Sequence, residues 1–205
     1  MNNLIVIGAS GHGKVIADIA EKNGYKDIAF LDDNPCIQTC ADYDVIGHSN
    51  LALHYKSSDF IVAIGNAQAR SKIQSWLLEN DLHVVSLLHP NAVIARSVTI
   101  GTGTVVMAGT VINPHVRIGQ GCVINTGSSV DHDCFIDDYA HISVGSHLCG
   151  TVSVGKRTWI GAGATVSNNI SICPNCMIGA GAVVVNNIDV AGTYVGVPAK
   201  LKVIV

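Results

Sequence analysis

Residues 117–148 read RIGQGCVINTGSSVDHDCFIDDYAHISVGSHL, and an aliphatic side chain returns at every sixth position: Ile118, Ile124, Val130, Ile136, Ile142 and Leu148. Extended in both directions, the phase runs from Ile94 through Ile100, Val106 and Ile112, and on through Val154, Ile160, Val166, Ile172 and Ile178 to Val184. All sixteen positions are aliphatic. Four residues after each comes a mostly small one, as at Val98, Thr104, Thr110, Cys122, Ser128, Cys134 and Ala140, and glycine often follows the aliphatic directly. A period of six is neither the 3.6 of a helix nor the 2 of a strand. It describes a chain that turns a corner every six residues and drops one branched side chain inward each time. Three such sides close a triangular coil of eighteen residues, and successive coils lie about 4.8 Å apart, the spacing of a β ladder. Residues 94–189 give just over five coils with no insertion. A β-sandwich of short strands rarely keeps one phase over so many steps.

Residues 1–88 have another rhythm. Leu4 to Ile7 reads as a short buried strand, followed by the turn Gly8-Ala9-Ser10-Gly11-His12-Gly13 and a helix from about Lys14 to Asn23. Ile28 to Leu31, Phe60 to Ile64 and Leu82 to Ser86 read as further strands, with a helix over roughly Ala67 to Glu79. Strands alternating with amphipathic helices predict a small Rossmann-like parallel sheet, with ligands beyond the carboxyl ends of its strands. The expected architecture is α/β plus β: a domain over 1–88, then a left-handed parallel β-helix domain over 89–205. The handedness is associated with this repeat type rather than derived from it.

Only 13% of the 205 residues are charged, against about a quarter in an ordinary folded chain. So little charge over so much β-branched sequence implies surface hidden in a stack or against other subunits. A net charge of −3 with no basic stripe to neutralise phosphates argues against nucleic acid as the partner. Gly, Asn and His break the uncharged stretches, so no membrane span is expected. Met1 to Ile7 runs into the glycine turn without a basic leader, and the seven cysteines are an odd number; both readings favour a cytoplasmic protein with reduced thiols. Cys173 and Cys176 have zinc-knuckle spacing, but no matching second pair stands near them, and Cys122, Cys134 and Cys176 fall at the small inward position where a buried thiol belongs. No metal is expected.

His132 is flanked by Asp131 and Asp133, on a coil whose inward place is taken by Val130. It should face outward. Imidazole titrates near neutrality, and a neighbouring carboxylate holds its tautomer and raises its basicity, which suits a general base. The alternative is a solvated surface histidine. In the N-terminal half, Gly8, Gly11 and Gly13 between a strand and a helix suit a backbone approach to phosphate. The order is not GxGxxG, and with Asp32-Asp33 downstream both an NAD site and a nucleotide-sugar site fit; a structural cap fits as well.

These features together resemble the hexapeptide-repeat acyltransferases, and most nearly the subgroup that acetylates sugars for surface glycans: the nucleotide-amino-sugar N-acetyltransferases of bacillosamine pathways and the sialic acid O-acetyltransferases. The landmarks are Gly8 to Lys14, Leu31-Asp32-Asp33, His89-Pro90, Asn125-Thr126-Gly127, Asp131-His132-Asp133 and Gly196-Val197-Pro198-Ala199-Lys200. The resemblance implies a homotrimer whose three active sites lie between neighbouring coils, with acetyl-CoA as co-substrate along each crevice. It implies His132 as base, Asp133 as its partner where close relatives often carry Glu, and Asp131 as a second orienter. His141, nine residues on, matches the histidine that reaches the thioester carbonyl, although His147 occupies the same phase. It places Asn125, Lys156, Gly161, Ala162, Gly179, Ala180, Pro198 and Lys200 with His141 along acetyl-CoA. Ser10, Gly11, His12, Gly13, Lys14, Asp32, Asp33, Gly65 and Asn66 would hold a nucleotide-activated amino sugar. The expected reaction is acetyl transfer to the 4-amine of a UDP-linked amino-dideoxy sugar. O-acetylation of sialic acid or its CMP form and a non-catalytic scaffold are the alternatives. Outward apolar residues such as Val105, Val123 and Val183 would be covered in the trimer.

Overall fold

The computed structural model describes residues 3–202, and the chain divides after Pro90 into two compact units. In the first, β1 (Leu4–Ile7), β2 (Ile28–Leu31), β3 (Asp59–Val62) and β4 (His83–Val84) form one sheet in the order β2-β1-β3-β4. Every pair is parallel, and Leu4 stands opposite both Ile28 and Asp59. β1 is buried on both faces, as expected of a parallel strand covered by helices. Ile5, Ile7, Leu31, Phe60, Val62, Leu77 and Val84 make one core cluster.

The first helix, α1, spans Gly11–Lys22 and so begins three residues before the expected Lys14. Lys14 N–H donates to Ser10 O at 3.0 Å, closing the first turn inside the glycine-rich segment. Gly13 is needed there by packing, since a Cβ would lie 2.3 Å from Gly8 O. The second helix, α2, is Ala67–Glu79 as expected, capped by Asn66, whose Oδ1 accepts from Ala69 N at 2.9 Å. A small hairpin, Thr39–Cys40 with Tyr43–Asp44, and a 3₁₀ turn at Ser49–His54 were not legible in the pattern.

The second unit is a parallel β-helix. Its sixteen two-residue strands run from Val93–Ile94 to Val183–Val184, and each ends on one of the sixteen aliphatic residues. These sixteen strands sort into three sheets and pair with one another eighteen residues apart, as in Val123↔His141↔Trp159↔Met177. The small inward residues do more than fill space. Thr104 Oγ1, Thr158 Oγ1, Cys122 Sγ and Cys134 Sγ each donate to a carbonyl of the next coil, at 2.8, 2.9, 3.2 and 3.1 Å. These bonds satisfy buried polar atoms inside an otherwise apolar column. Burial pushes the Cys134 thiol up to about 11, so it stays protonated as a donor.

Corner geometry repeats as well. At fourteen corners the residue three places after the aliphatic has a left-handed φ, seven of them glycine and seven not. Asp133 is one of the latter, with φ 58°.

The sequence expectation for the outer faces needs correcting. Val105 and Val123 are each 1% exposed within the single chain, so no partner is needed to cover them. The outward apolar surface is carried by Val93, Val111, Phe135, Val144 and Met177. A trimer that buries them is the expected state. Sedimentation equilibrium at micromolar concentration should give three chains; a stable monomer would contradict it.

Candidate active site

Asp131, His132 and Asp133 lie on the corner that follows the strand Ser129–Val130. Val130 is fully buried, so the residues after it turn outward, and the side chains of His132 and Asp133 are half exposed. Asp133 Oδ2 lies 2.8 Å from His132 Nδ1. The shorter aspartate arm therefore reaches the ring. Asp131 serves a side-chain amide and the backbone instead: its Oδ1 accepts from Asn113 Nδ2 at 2.7 Å and from the His132 N–H at 2.8 Å. The hydrogen bond that the ring donates to Asp133, and then the charge of Asp131, raise the imidazole above the ordinary histidine value. The Asn113 amide, followed by the His132 N–H, holds Asp131 below the usual carboxylate value. A carboxylate can only accept, so Nδ1 carries the proton of the neutral ring and the lone pair sits on Nε2. A groove of about 380 Å³, lined by His115, Arg117, Asp133, Cys134 and Phe135, adjoins the pair.

The two other histidines of the same phase separate clearly. His141 is buried and its ring packs against Trp159, with ring centres 4.1 Å apart and planes tilted by 38°. Its Nε2 lies 3.1 Å from Asn125 Nδ2, while Asn125 Oδ1 accepts from Thr126 N at 2.8 Å. That second bond orients the amide, so Nδ2 is the donor, His141 Nε2 the acceptor, and the His141 proton sits on Nδ1. His147 is exposed and meets Ser129 Oγ at 2.8 Å. Geometry thus brings Asn125 and His141 together and leaves His147 apart.

Along the same unit, Lys156 Nζ is 3.4 Å from Asp138 and 5.7 Å from the Tyr139 ring centre. Ala162, Ala180, Pro198 and Lys200 are exposed. Gly161 and Gly179 are fixed by packing: a Cβ would lie 2.5 Å from Ile178 O and 2.8 Å from Val195 Cγ1 respectively. The Cys173 and Cys176 sulfurs are 3.4 Å apart. Among the described residues, no group of three or more His, Cys, Asp or Glu is placed to hold a metal ion.

In the first unit, Asp32 ties the glycine turn to β2. Its Oδ2 accepts from Ala9 N at 2.7 Å and its Oδ1 from Asn34 N at 2.8 Å. Asp33 accepts from Ser49 N at 2.9 Å and Ser49 Oγ at 3.1 Å. A cavity of about 300 Å³, lined by Asp32, Asn34, Pro35, Gln38, Gly47 and His48 among others, lies at the carboxyl end of β2, where open parallel sheets bind ligands. Another of about 360 Å³, lined in part by Leu4, Ile28, Tyr43 and Tyr55, opens at the amino ends of the strands. His12 stands in the first turn of α1, where burial and then the nearby Arg70 guanidinium push it down to about 4. It is neutral at pH 7. Arg70 is 1% exposed and donates to Ile64 O at 2.7 Å and Gly65 O at 2.9 Å, holding the β3–α2 turn. Ser10, Gly11 and Lys14 are exposed around that turn.

Residues 3–77 match the PglD N-terminal domain model, and residues 151–186 match the bacterial transferase hexapeptide model. The acetyltransferase domain of PglB from Neisseria gonorrhoeae, solved in complex with acetyl coenzyme A, is 38% identical, with TM-score 0.94 over 98% of this chain and 99% of that one. PerB from Caulobacter crescentus, solved with CoA and GDP-perosamine, is 35% identical, with TM-score 0.94 over 98% of each chain. UDP-N-acetylbacillosamine N-acetyltransferase of Bacillus subtilis is 35% identical over 115 residues, about half the length of either protein.

The chain belongs to the hexapeptide-repeat, left-handed β-helix sugar N-acetyltransferases.

For an acetyltransferase of this family, the sequence reading missed Asn113, Trp159, Arg70 and the cavity residues Asn34, Gln38 and His48. Two of these carry a signal. Asn113 stands eighteen residues before Asp131, and Trp159 eighteen after His141, so stacking the sequence by coils places both. Arg70 carries none, because a lone arginine in an amphipathic helix ordinarily reads as surface. Among the described residues no helix is long and apolar enough to cross a membrane.

The His132–Asp133 bond makes a measurable difference to titration. In Asp133→Asn the His132 imidazole should lose protons at lower pH than in the parent, because the carboxylate favours its charged form. An NMR titration of the His132 ring checks this; an unchanged midpoint would mean that the bond does not form in solution.

Proposed function

We propose that this protein transfers the acetyl group of acetyl-CoA to the 4-amine of a UDP-linked amino-dideoxy sugar, with His132 as general base. The observation that carries the reading is the tautomer imposed on His132: with Nδ1–H held by Asp133, the basic nitrogen is Nε2, on a half-exposed ring. Family membership supports the acetyl-CoA donor. The Bacillus relative's action on a bacillosamine nucleotide supports the UDP-linked acceptor. The GDP-perosamine bound by PerB supports a second reading, a GDP-linked 4-amino sugar.

The chemistry balances without a further reagent. An amine in its neutral form attacks the thioester carbonyl carbon, and Nε2 takes the proton as the C–N bond forms. The resulting imidazolium is stabilised by Asp133 and by the charge of Asp131. The tetrahedral intermediate collapses by breaking the C–S bond, and the CoA sulfur leaves with the proton returned from Nε2. Asn125 keeps one Nδ2 proton on His141, and its second is the proposed donor to the carbonyl oxygen. His141 acts here through Asn125, because its ring is buried against Trp159. Active sites shared between neighbouring coils of a homotrimer fit the exposed position of His132. The cavity beside Asp32 is the proposed nucleotide grip: Asp32 shapes the glycine turn, and Lys14, exposed in the first turn of α1, is the proposed cation for its phosphates.

A panel of acceptors run with acetyl-CoA tests the acceptor class: UDP- and GDP-linked 4-amino sugars, sialic acid and CMP-sialic acid. The expected result is turnover of the UDP-linked 4-amine at the highest kcat/KM. Exclusive turnover of a hydroxyl acceptor would contradict the amine reading. With the best acceptor, His132→Ala should lose about 10²–10⁴ in kcat, the usual effect of removing a positioned acid–base group. Its fold and acetyl-CoA affinity should persist, since the side chain faces outward. A kcat within a few-fold of the parent would remove His132 as the base.

A further inference from the structure

The imidazole of His132 rests on the coil that follows. Position 150 lies eighteen residues on, directly in the next rung, and it is a buried glycine. A Cβ built there would come within 2.7 Å of both Cε1 and Nε2 of His132 and 3.4 Å of Cδ2. No side chain, however small, fits beneath the ring as it stands.

The backbone does not ask for glycine at this place. The φ of Gly150 lies outside the left-handed region, unlike that of the glycines one place further along each corner. Of the sixteen residues two places after the repeating aliphatic, Gly150 is the sole glycine. The same place holds alanine at 108, 162 and 180 and proline at 114 and 174. Proline requires a φ near −65°, which any L-residue adopts. Close packing against the next coil's backbone explains Gly161, but the atoms crowding position 150 belong to the imidazole. Nor can the backbone give way easily. Gly150 O accepts from Asn169 N at 3.0 Å and from Thr151 Oγ1 at 2.6 Å, and Thr151 N donates to His132 O at 2.9 Å. What would have to move is the ring.

We propose that Gly150 is a positioning residue for His132: its missing side chain is the floor on which the Cε1–Nε2 edge lies while Asp133 holds Nδ1. The proposal rests on the reading of His132 as the base. With both supports the ring has one orientation; with a methyl group at 150 its working edge is displaced by about 1 Å, a shift that costs on the order of 10²-fold in a catalytic constellation.

The test is a double-mutant cycle with Gly150→Ala and His132→Ala, assayed with acetyl-CoA and the best acceptor. Gly150→Ala should lower kcat about 10–100-fold with little change in Tm, because alanine is accommodated at equivalent corners, and it should move the NMR titration of His132. In the His132→Ala background the same change should cost nothing further, since the ring it displaces is gone. If Gly150→Ala lowers the residual rate of His132→Ala by its full factor, the glycine acts independently of the ring and the proposal fails. An unchanged kcat and an unchanged His132 titration in Gly150→Ala overturn it as well. If Gly150→Ala does not fold, the double variant decides: folding of the double variant alone supports the clash, and failure of both makes Gly150 structural and overturns the proposal. A His132→Ala enzyme of near-normal kcat refutes the base instead, and the titration alone then judges the contact between ring and glycine.

Discussion

Every strand pair in the sixteen-strand run joins a residue to the one eighteen places away, and this register is what the rest of the second unit depends on. Aliphatic side chains stack on aliphatic side chains along three edges, so a slip of one residue would expel the whole column. The same register stacks everything else. It sets Asn113 over Asp131, His141 against Trp159, and the His132 ring on Gly150. A corner residue's chemistry is therefore tuned by the coils on either side rather than by its neighbours in sequence alone.

That dependence accounts for how much was legible. The sixfold phase is a one-dimensional signal, so the β-helix, its extent and the inward thiols follow from it directly. The outward orientation of His132 also follows, because Val130 occupies the inward place. The partner of its ring was nearly legible: the flanking acids are visible, but only the folded corner shows that Asp133 serves Nδ1 while Asp131 holds the Asn113 amide and the His132 N–H. The choice between His141 and His147 required the stack, since the two share a phase and differ in what lies above and below. Val105 and Val123 were misjudged for a related reason. The alternation of a single strand assigns them outward, yet the folded chain itself buries them.

The first unit was less transparent, since its glycine turn is set by backbone packing. Glycine lowers helix propensity, so the start of α1 was placed three residues late. Asp32 and Asp33 read as ligand-facing acids, whereas each accepts two hydrogen bonds that hold the turn and the 3₁₀ segment in place. Loss of their side chains would deform the cavity beside β2 as much as remove a contact. His12 is neutral beside a buried arginine, so to the proposed nucleotide grip it brings hydrogen bonding rather than charge.

Both the chemistry and the grip rest on one spatial claim, that an acceptor amine meets the outward edge of His132. A crystal structure of the assembled protein with CoA and the nucleotide amino sugar bound tests it most directly. The account predicts the amine nitrogen about 2.6–3.2 Å from His132 Nε2, or one water away, the reach required of a general base, with the Nδ1 bond to Asp133 retained. An amine seated against another side chain, with His132 Nε2 facing neither it nor a bridging water, would contradict the account.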